Sequence, residues 1–362
     1  MQYKENWEQT KANYTAFWNG EYFGRAAIGV TAPKGGECLV SPPPLPDNPS
    51  DKWIDFDYLA KLNHFCFNNT HYGGEALPVW TPGYPGWAQM SAYMKDGAHV
   101  KLDEATAWLS PVFKDTDVSA LTERDMDYNP NNKWLQTALD MQKFAVEQCK
   151  GKAIPALMNN YGIADELSDM VDPAVLLMAL LDCPEHVRKL ETHLLDKVIE
   201  VYDQLFALAN AKEDGNSNWF WMWAPGRFGV LQNDMSYMIS KELFEECFFD
   251  LTVRLTEYFD YSIYHVDGEG SFKHVDLLCT IPKLHTIQIL PGAGKPSPLH
   301  YLDVLKKVQK AGKNLHLTLE ADEVPKALDL LSAKGLFIQT TASSREEADD
   351  LVSFVSKNSR IL

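Results

Sequence analysis

The run His265-Val266-Asp267-Gly268-Glu269-Gly270 is where the sequence most clearly offers chemistry. It ends an apolar, strand-like stretch. Along a strand, residues two apart share a face, so His265 and Asp267 point the same way. An imidazole titrates near neutrality, and beside a carboxylate it suits proton transfer. The glycines let the backbone turn sharply. The same residue types also serve structure: Asp267 can cap the next helix, and His265 can be a buried, hydrogen-bonded histidine. Asp234 follows the turn-like Gly226-Arg227-Phe228-Gly229. It reads either as a second catalytic carboxylate or as a cap near Ser236. Arg227 reads as a clamp for a substrate carboxylate or as a partner for a neighbouring acid.

Around these residues the aromatic side chains Trp80, Tyr84, Trp87, Trp108, Trp221 and Trp223 offer flat apolar surface for a ring-bearing ligand. The expected substrate-binding set is Trp80, Tyr84, Trp87, Asn159, Trp223, Arg227, Glu269, Gln288 and Glu320, all at or just after expected strand ends. No metal or other cofactor is expected. If a metal binds, its ligands are expected to be His265, Asp267 and Glu320. No thiolate pair accompanies His265, so tightly bound zinc is not expected.

The elements that would position these groups alternate between strand-like and helix-like. Short apolar runs at 26–32, 76–81, 153–158, 218–223, 261–266, 285–290, 314–319 and 336–341 predict strands buried on both faces. Amphipathic stretches between them predict helices at 53–68, 184–210, 240–260, 271–280, 298–311, 323–334 and 344–357, with Ser240 and Ser343 or Ser344 as N-caps. Eight strands, each followed by a helix, predict an α/β fold of the (β/α)₈ TIM-barrel type. Functional groups in such a barrel gather at the strand C-termini. Residues 1–24 predict an N-terminal helical extension and 25–362 the barrel, with insertions at 33–52 and 82–130, the latter long enough for a hairpin or lid.

Composition bounds the partners. With 33 Lys and Arg against 50 Asp and Glu, the net charge is −17, which excludes a nucleic-acid surface or an anionic membrane surface. No basic segment followed by an apolar one opens the chain, and no run approaches the roughly 18 apolar residues of a membrane span. The six cysteines are scattered without a CxxC pair and read as free thiols. A cytoplasmic protein acting on a small molecule is expected, and a homodimer is compatible with this.

Tyr264 to Gly270, His274-Val275-Asp276-Leu277-Leu278 and Ile281 to Gln288 resemble the uroporphyrinogen decarboxylase superfamily, in its divergent bacterial members. Arg25, the stretch Val230 to Ser236, Ser240 to Glu245 and Gly335-Leu336-Phe337-Ile338 extend the resemblance, which is strongest over 215–340. It implies a (β/α)₈ barrel. It also implies one of two chemistries: decarboxylation of a polycarboxylate without cofactor, or methyl transfer with a corrinoid protein as partner and, in thiol-using members, a zinc site. The place of the decarboxylases' Arg-rich loop reads Thr31-Ala32-Pro33-Lys34-Gly35-Gly36. The zinc motif's His is matched by His265, while Asp267 stands where its Cys would be. The expected function is removal or transfer of a one-carbon group by His265, Asp267 and Asp234, on a small ring-bearing substrate other than uroporphyrinogen. A carbohydrate-directed enzyme and a non-catalytic ligand-binding protein are the alternatives.

Overall fold

A computed structural model describes residues 1–36, 40–81, 89–157, 162–209 and 215–362. Their strands are β1 (Ala27–Pro33), β2 (Thr70–Gly74), β3 (Val79–Trp80), β4 (Val100–Leu102), β5 (Ala107–Leu109), β6 (Ile154–Pro155), β7 (Phe228–Gln232), β8 (Tyr261–Asp267), β9 (Thr286–Leu290), β10 (Asn314–Thr318) and β11 (Leu336–Thr341). Seven form one sheet in the order β2-β1-β11-β10-β9-β8-β7, parallel throughout except for the antiparallel pair β1–β2. The protein is therefore α/β with a mixed, mostly parallel sheet.

A closed eight-stranded ladder, expected from the sequence, is not seen among the described residues. β3 and β6 form a separate parallel pair two residues long. Prolines explain part of this: Pro78 and Pro155 have no N–H to give to a ladder. Among the described residues, only the single bridges Ala156–Ser217 and Gly162–Gln232 carry the parallel arrangement toward β7.

The strand expected at 218–223 is a turn, and the strand is β7 further on. The Asn218 side chain accepts the Phe220 N–H at 3.0 Å, the Trp221 N–H bonds the Asn218 carbonyl at 2.9 Å, and Trp221 has φ +53°. This local side-chain bonding beats the aromatic strand propensity. Gly229, which reads as a turn residue, lies inside β7, where a Cβ would stand 2.1 Å from the Phe259 ring.

Alternation along each strand divides the core. Tyr264 and Val266 of β8 pack outward with the helices, whereas Ile263 faces an inner cluster with Ala27, Val230 and Phe337. The N-terminal helix Trp7–Trp18 fills that inner cluster with Trp7, Tyr14, Phe17 and Trp18. One layer higher, pairing in register aligns Gln232, His265, Gln288 and His316. The expected hairpin in the 82–130 insertion is β4–β5. Ser240 and Ser344 cap their helices through Leu243 and Glu347 N–H groups, at 3.2 Å each. No helix among the described residues is long and apolar enough to cross a membrane. Cys66, Cys149, Cys183, Cys247 and Cys279 are free thiols, and Cys38 lies outside the described residues.

Candidate active site

β7 and β8 are adjacent parallel strands, so their C-terminal ends deliver side chains to one place. Asp267 closes β8, His265 precedes it on the same face, and Asp234 stands just beyond β7. One ligand atom from each of these three residues lies within 4.8 Å of the others. A short hydrogen bond joins His265 Nδ1 to Gln288 Oε1. With the carbonyl oxygen there, Nδ1 carries the proton and Nε2 keeps a free lone pair. The Trp219 ring stands edge-on to the imidazole at 5.1 Å and Phe220 at 6.0 Å, which fixes the ring plane.

A third carboxylate sets the turn. Asp165 accepts the backbone N–H of Asp234 at 2.8 Å and of Met235 at 3.1 Å. Gln232 Nε2 reaches Asp165 at 3.3 Å and Asp234 at 3.4 Å. Desolvation, then the Asp234 charge, pushes the Asp165 carboxyl up from the usual range. Desolvation also raises Asp234, opposed by His265 and reinforced by Asp267. Beside these, Asp267 Oδ1 and both polar atoms of the Asn233 side chain are buried without a hydrogen-bond partner. Such orphans are costly unless something occupies the site. Gly268, at φ +78°, starts the turn after β8, and the Tyr237 ring lies across it. A Cβ at Gly268 or Gly270 would come within 2.7 Å of that ring.

The remaining expected residues fall in several places. Gln288 is at the site through His265. Glu269 is held by Lys295 and, at 2.9 Å, by the Tyr301 hydroxyl, so its charge is already answered. Arg227 lies at the start of β7, the far end of the strand from Asp234. It contacts Asp203 at 3.5 Å and stacks over Phe206 and Tyr258. Glu320 caps the short turn Ala321–Glu323 through a reciprocal bond pair with Glu323. The third position beside His265 and Asp267 is thus filled by Asp234 rather than Glu320. Trp80 is buried against Phe67 and Phe144, and Trp223 against Trp7 and Tyr14. Tyr84, Trp87 and Asn159 lie outside the described residues.

Sequence reasoning missed Asp165, Gln232, Trp219 and His316. His316 is fully buried, stacks on Phe337 at 5.4 Å, and donates a 3.2 Å bond from Nε2 to Gln339 Oε1. Its pKa falls to about 3, first through desolvation. The signal for it was present: polar residues at alternate positions of Asn314-Leu315-His316-Leu317-Thr318 face the same interior as His265. Asp165 left no such mark, because its partner is backbone nearly 70 residues away.

Can this arrangement hold a metal? One imidazole with a free Nε2 and two carboxylates supply nitrogen and oxygen donors, and the unpartnered Asp267 Oδ1 is left over for an ion. Three protein ligands leave positions open, the pattern of catalytic rather than structural sites. The residues present fit a divalent cation.

No protein-family model and no curated protein matches the chain. A solved structure does. The chain is similar to a methyltransferase from Methanosarcina mazei, with TM-score 0.61 and 10% identity over 96% of this chain and 98% of that one. At that identity the likeness is one of fold, and it spans both chains almost whole.

Proposed function

We propose that this chain is a metal-assisted enzyme of the methyl-transfer kind, a divergent member of the uroporphyrinogen decarboxylase superfamily with an eight-stranded barrel. The observation that carries the reading is the convergence of Asp234, His265 and Asp267 at adjacent strand C-termini, in a fold shared with a methyltransferase. The single bridges from β6 to residue 217 and from residue 162 to β7 support ring closure. Asp234, His265 and Asp267 would hold the ion, which would supply Lewis acidity toward an oxygen or sulfur of the methyl acceptor. Gln288 keeps Nε2 of His265 free, and Trp219 and Phe220 hold the ring upright. Asp165 fixes the turn that carries Asp234. Trp219 also offers flat surface to a ring-bearing substrate.

A porphyrin polycarboxylate suits the site poorly. Each carboxylate taken from water needs a cationic or multi-donor partner. Arg227 is at the other strand end and Lys295 already answers Glu269. The test is metal analysis of protein purified without added metal, then titration with zinc, manganese and cobalt. Near-stoichiometric binding is expected in the wild type. His265→Ala and Asp267→Ala should lose the ion and cut methyl transfer from a methylcorrinoid to a thiol or phenol at least ~100-fold, with melting temperatures within a few degrees. Absence of micromolar affinity for any of the three ions, or retention of the ion by both variants, sinks the reading.

A further inference from the structure

At the opposite end of the sheet order from β7, the chain gathers positive charge against its own composition. A groove of about 370 Å³ runs along β2, between the N-terminal segment and the helix Arg345–Asn358. Lys4, Arg25, Lys34, His71 and Arg345 line it, facing, among the described residues, only Glu5 and Asp349 as acids. In a chain of net charge −17 this is a local inversion.

The floor of the groove holds a buried surplus of charge. Glu75, 1% exposed, is fully used: it takes two bonds from Arg25 at 2.6 and 2.8 Å, one from the Ile28 N–H at 2.8 Å and one from Asn13 at 2.8 Å. Lys4 is 2% exposed, and its ammonium donates only to the neutral carbonyls of Tyr72 at 2.8 Å and Gly74 at 2.6 Å. An ammonium has a third proton to give. Among the described residues no carboxylate pairs with Lys4, and burial pushes its pKa down to about 8. Lys4, Arg25 and Glu75 together therefore leave one positive charge under the groove.

At the rim, Asp349 is shared between His71 at 2.8 Å and Arg345 at 3.6 Å. One carboxylate thus serves two basic side chains. Lys34, beside Gly35 and Gly36, has no ion pair among the described residues. One wall is aromatic, with Tyr3 and Phe67 rings 5.4 Å apart. The volume lies in the range of small-molecule sites and exceeds that of a bare inorganic ion.

We propose that this groove is a second binding site, for a small organic oxyanion: a molecule with one phosphate or carboxylate group over Lys4, Lys34 and Arg345 and a flat portion against Tyr3 and Phe67. Its position on β2 keeps it separate from Asp234, His265 and Asp267, so binding there is a distinct event from metal binding.

Calorimetric titration at fixed ionic strength tests this with three probes: inorganic phosphate, adenosine monophosphate and citrate. Submillimolar binding of at least one is expected. Preference for the nucleotide assigns a phosphate ligand, and preference for citrate a carboxylate one. The double variant Lys34→Glu/Arg345→Glu changes two rim side chains and should weaken that binding at least ~10-fold, the scale of two modest charge interactions. Its melting temperature without ligand and its affinity for the metal should stay as in the wild type. If none of the three probes binds at millimolar concentration, or if the double variant binds as tightly as the wild type, the proposal is overturned.

Discussion

Two groups of acids sit far apart in sequence but close in space, in opposite surroundings. Asp234 is exposed and Asp267 half-buried, with an imidazole close to both. Glu166 and Glu191 are 4% and 3% exposed and border a small apolar cavity of about 20 Å³, lined otherwise by leucine, isoleucine, valine and glycine. Glu166 accepts the Ser91 N–H at 3.0 Å, and Glu191 has an unpartnered Oε1. Desolvation pushes both up to about 8, so at neutral pH both are held as neutral acids. Residue type alone therefore says little about a carboxyl. At the strand ends, beside an imidazole, it offers a ligand oxygen, whereas an apolar cavity turns it into a hydrogen-bonding strut. The two groups are linked through Asp165, next to Glu166 and bonded to the backbone of Asp234.

Three measurements sharpen this contrast. The largest effect is expected from Gln288→Leu. It removes the partner that orients His265 and should weaken metal affinity by about 10- to 100-fold, as loss of an outer partner usually does. Unchanged affinity would mean that His265 is oriented by its aromatic neighbours alone. A smaller effect concerns pH. The folded pKa values of Glu166 and Glu191 lie above the unfolded value near 4.5, so the native state binds more protons than the unfolded one. Stability should then be fullest below pH 4.5 as far as these groups go, and fall as pH rises from about 4.5 toward 8. The slope is at most about 1.4 kcal/mol per pH unit for each group. Glu191→Gln should remove one group's share, read by denaturant melts at pH 5 and pH 8, without changing metal affinity. An identical pH slope in the variant would show that Glu191 is ionised in the fold. The smallest effect belongs to Glu320→Gln. It touches only a turn cap and should cost under about 1 kcal/mol, leaving the metal content alone. Loss of the ion on that change would return Glu320 to the ligand set.

The sequence made the second half of the molecule legible because its strands, β8 to β11, alternate apolar residues with polar ones that mark the interior. His265 and Asp267 were readable for that reason, and Asp234 because it stands close to a turn. β7 was not readable. Its decoy, residues 218–223, has better strand propensity than Phe228-Gly229-Val230-Leu231-Gln232, and the reason for Gly229 is the Phe259 ring, 30 residues away in sequence. Trp80 and Trp223 look the same in sequence whether they line a cleft or fill a core. Only packing against Phe67, Phe144, Trp7 and Tyr14 separates the two cases.

The ring of Tyr237, laid across Gly268 and Gly270, has a consequence for descent. A side chain at either glycine meets the ring at 2.7 Å, and at Gly268 it also meets an unfavourable backbone angle. Neither position can change first while an aromatic stands at 237, yet a smaller residue there frees Gly270 at once. Related chains should therefore inherit these positions as a block, with any replacement of Gly270 arising only in lineages that had already lost the tyrosine.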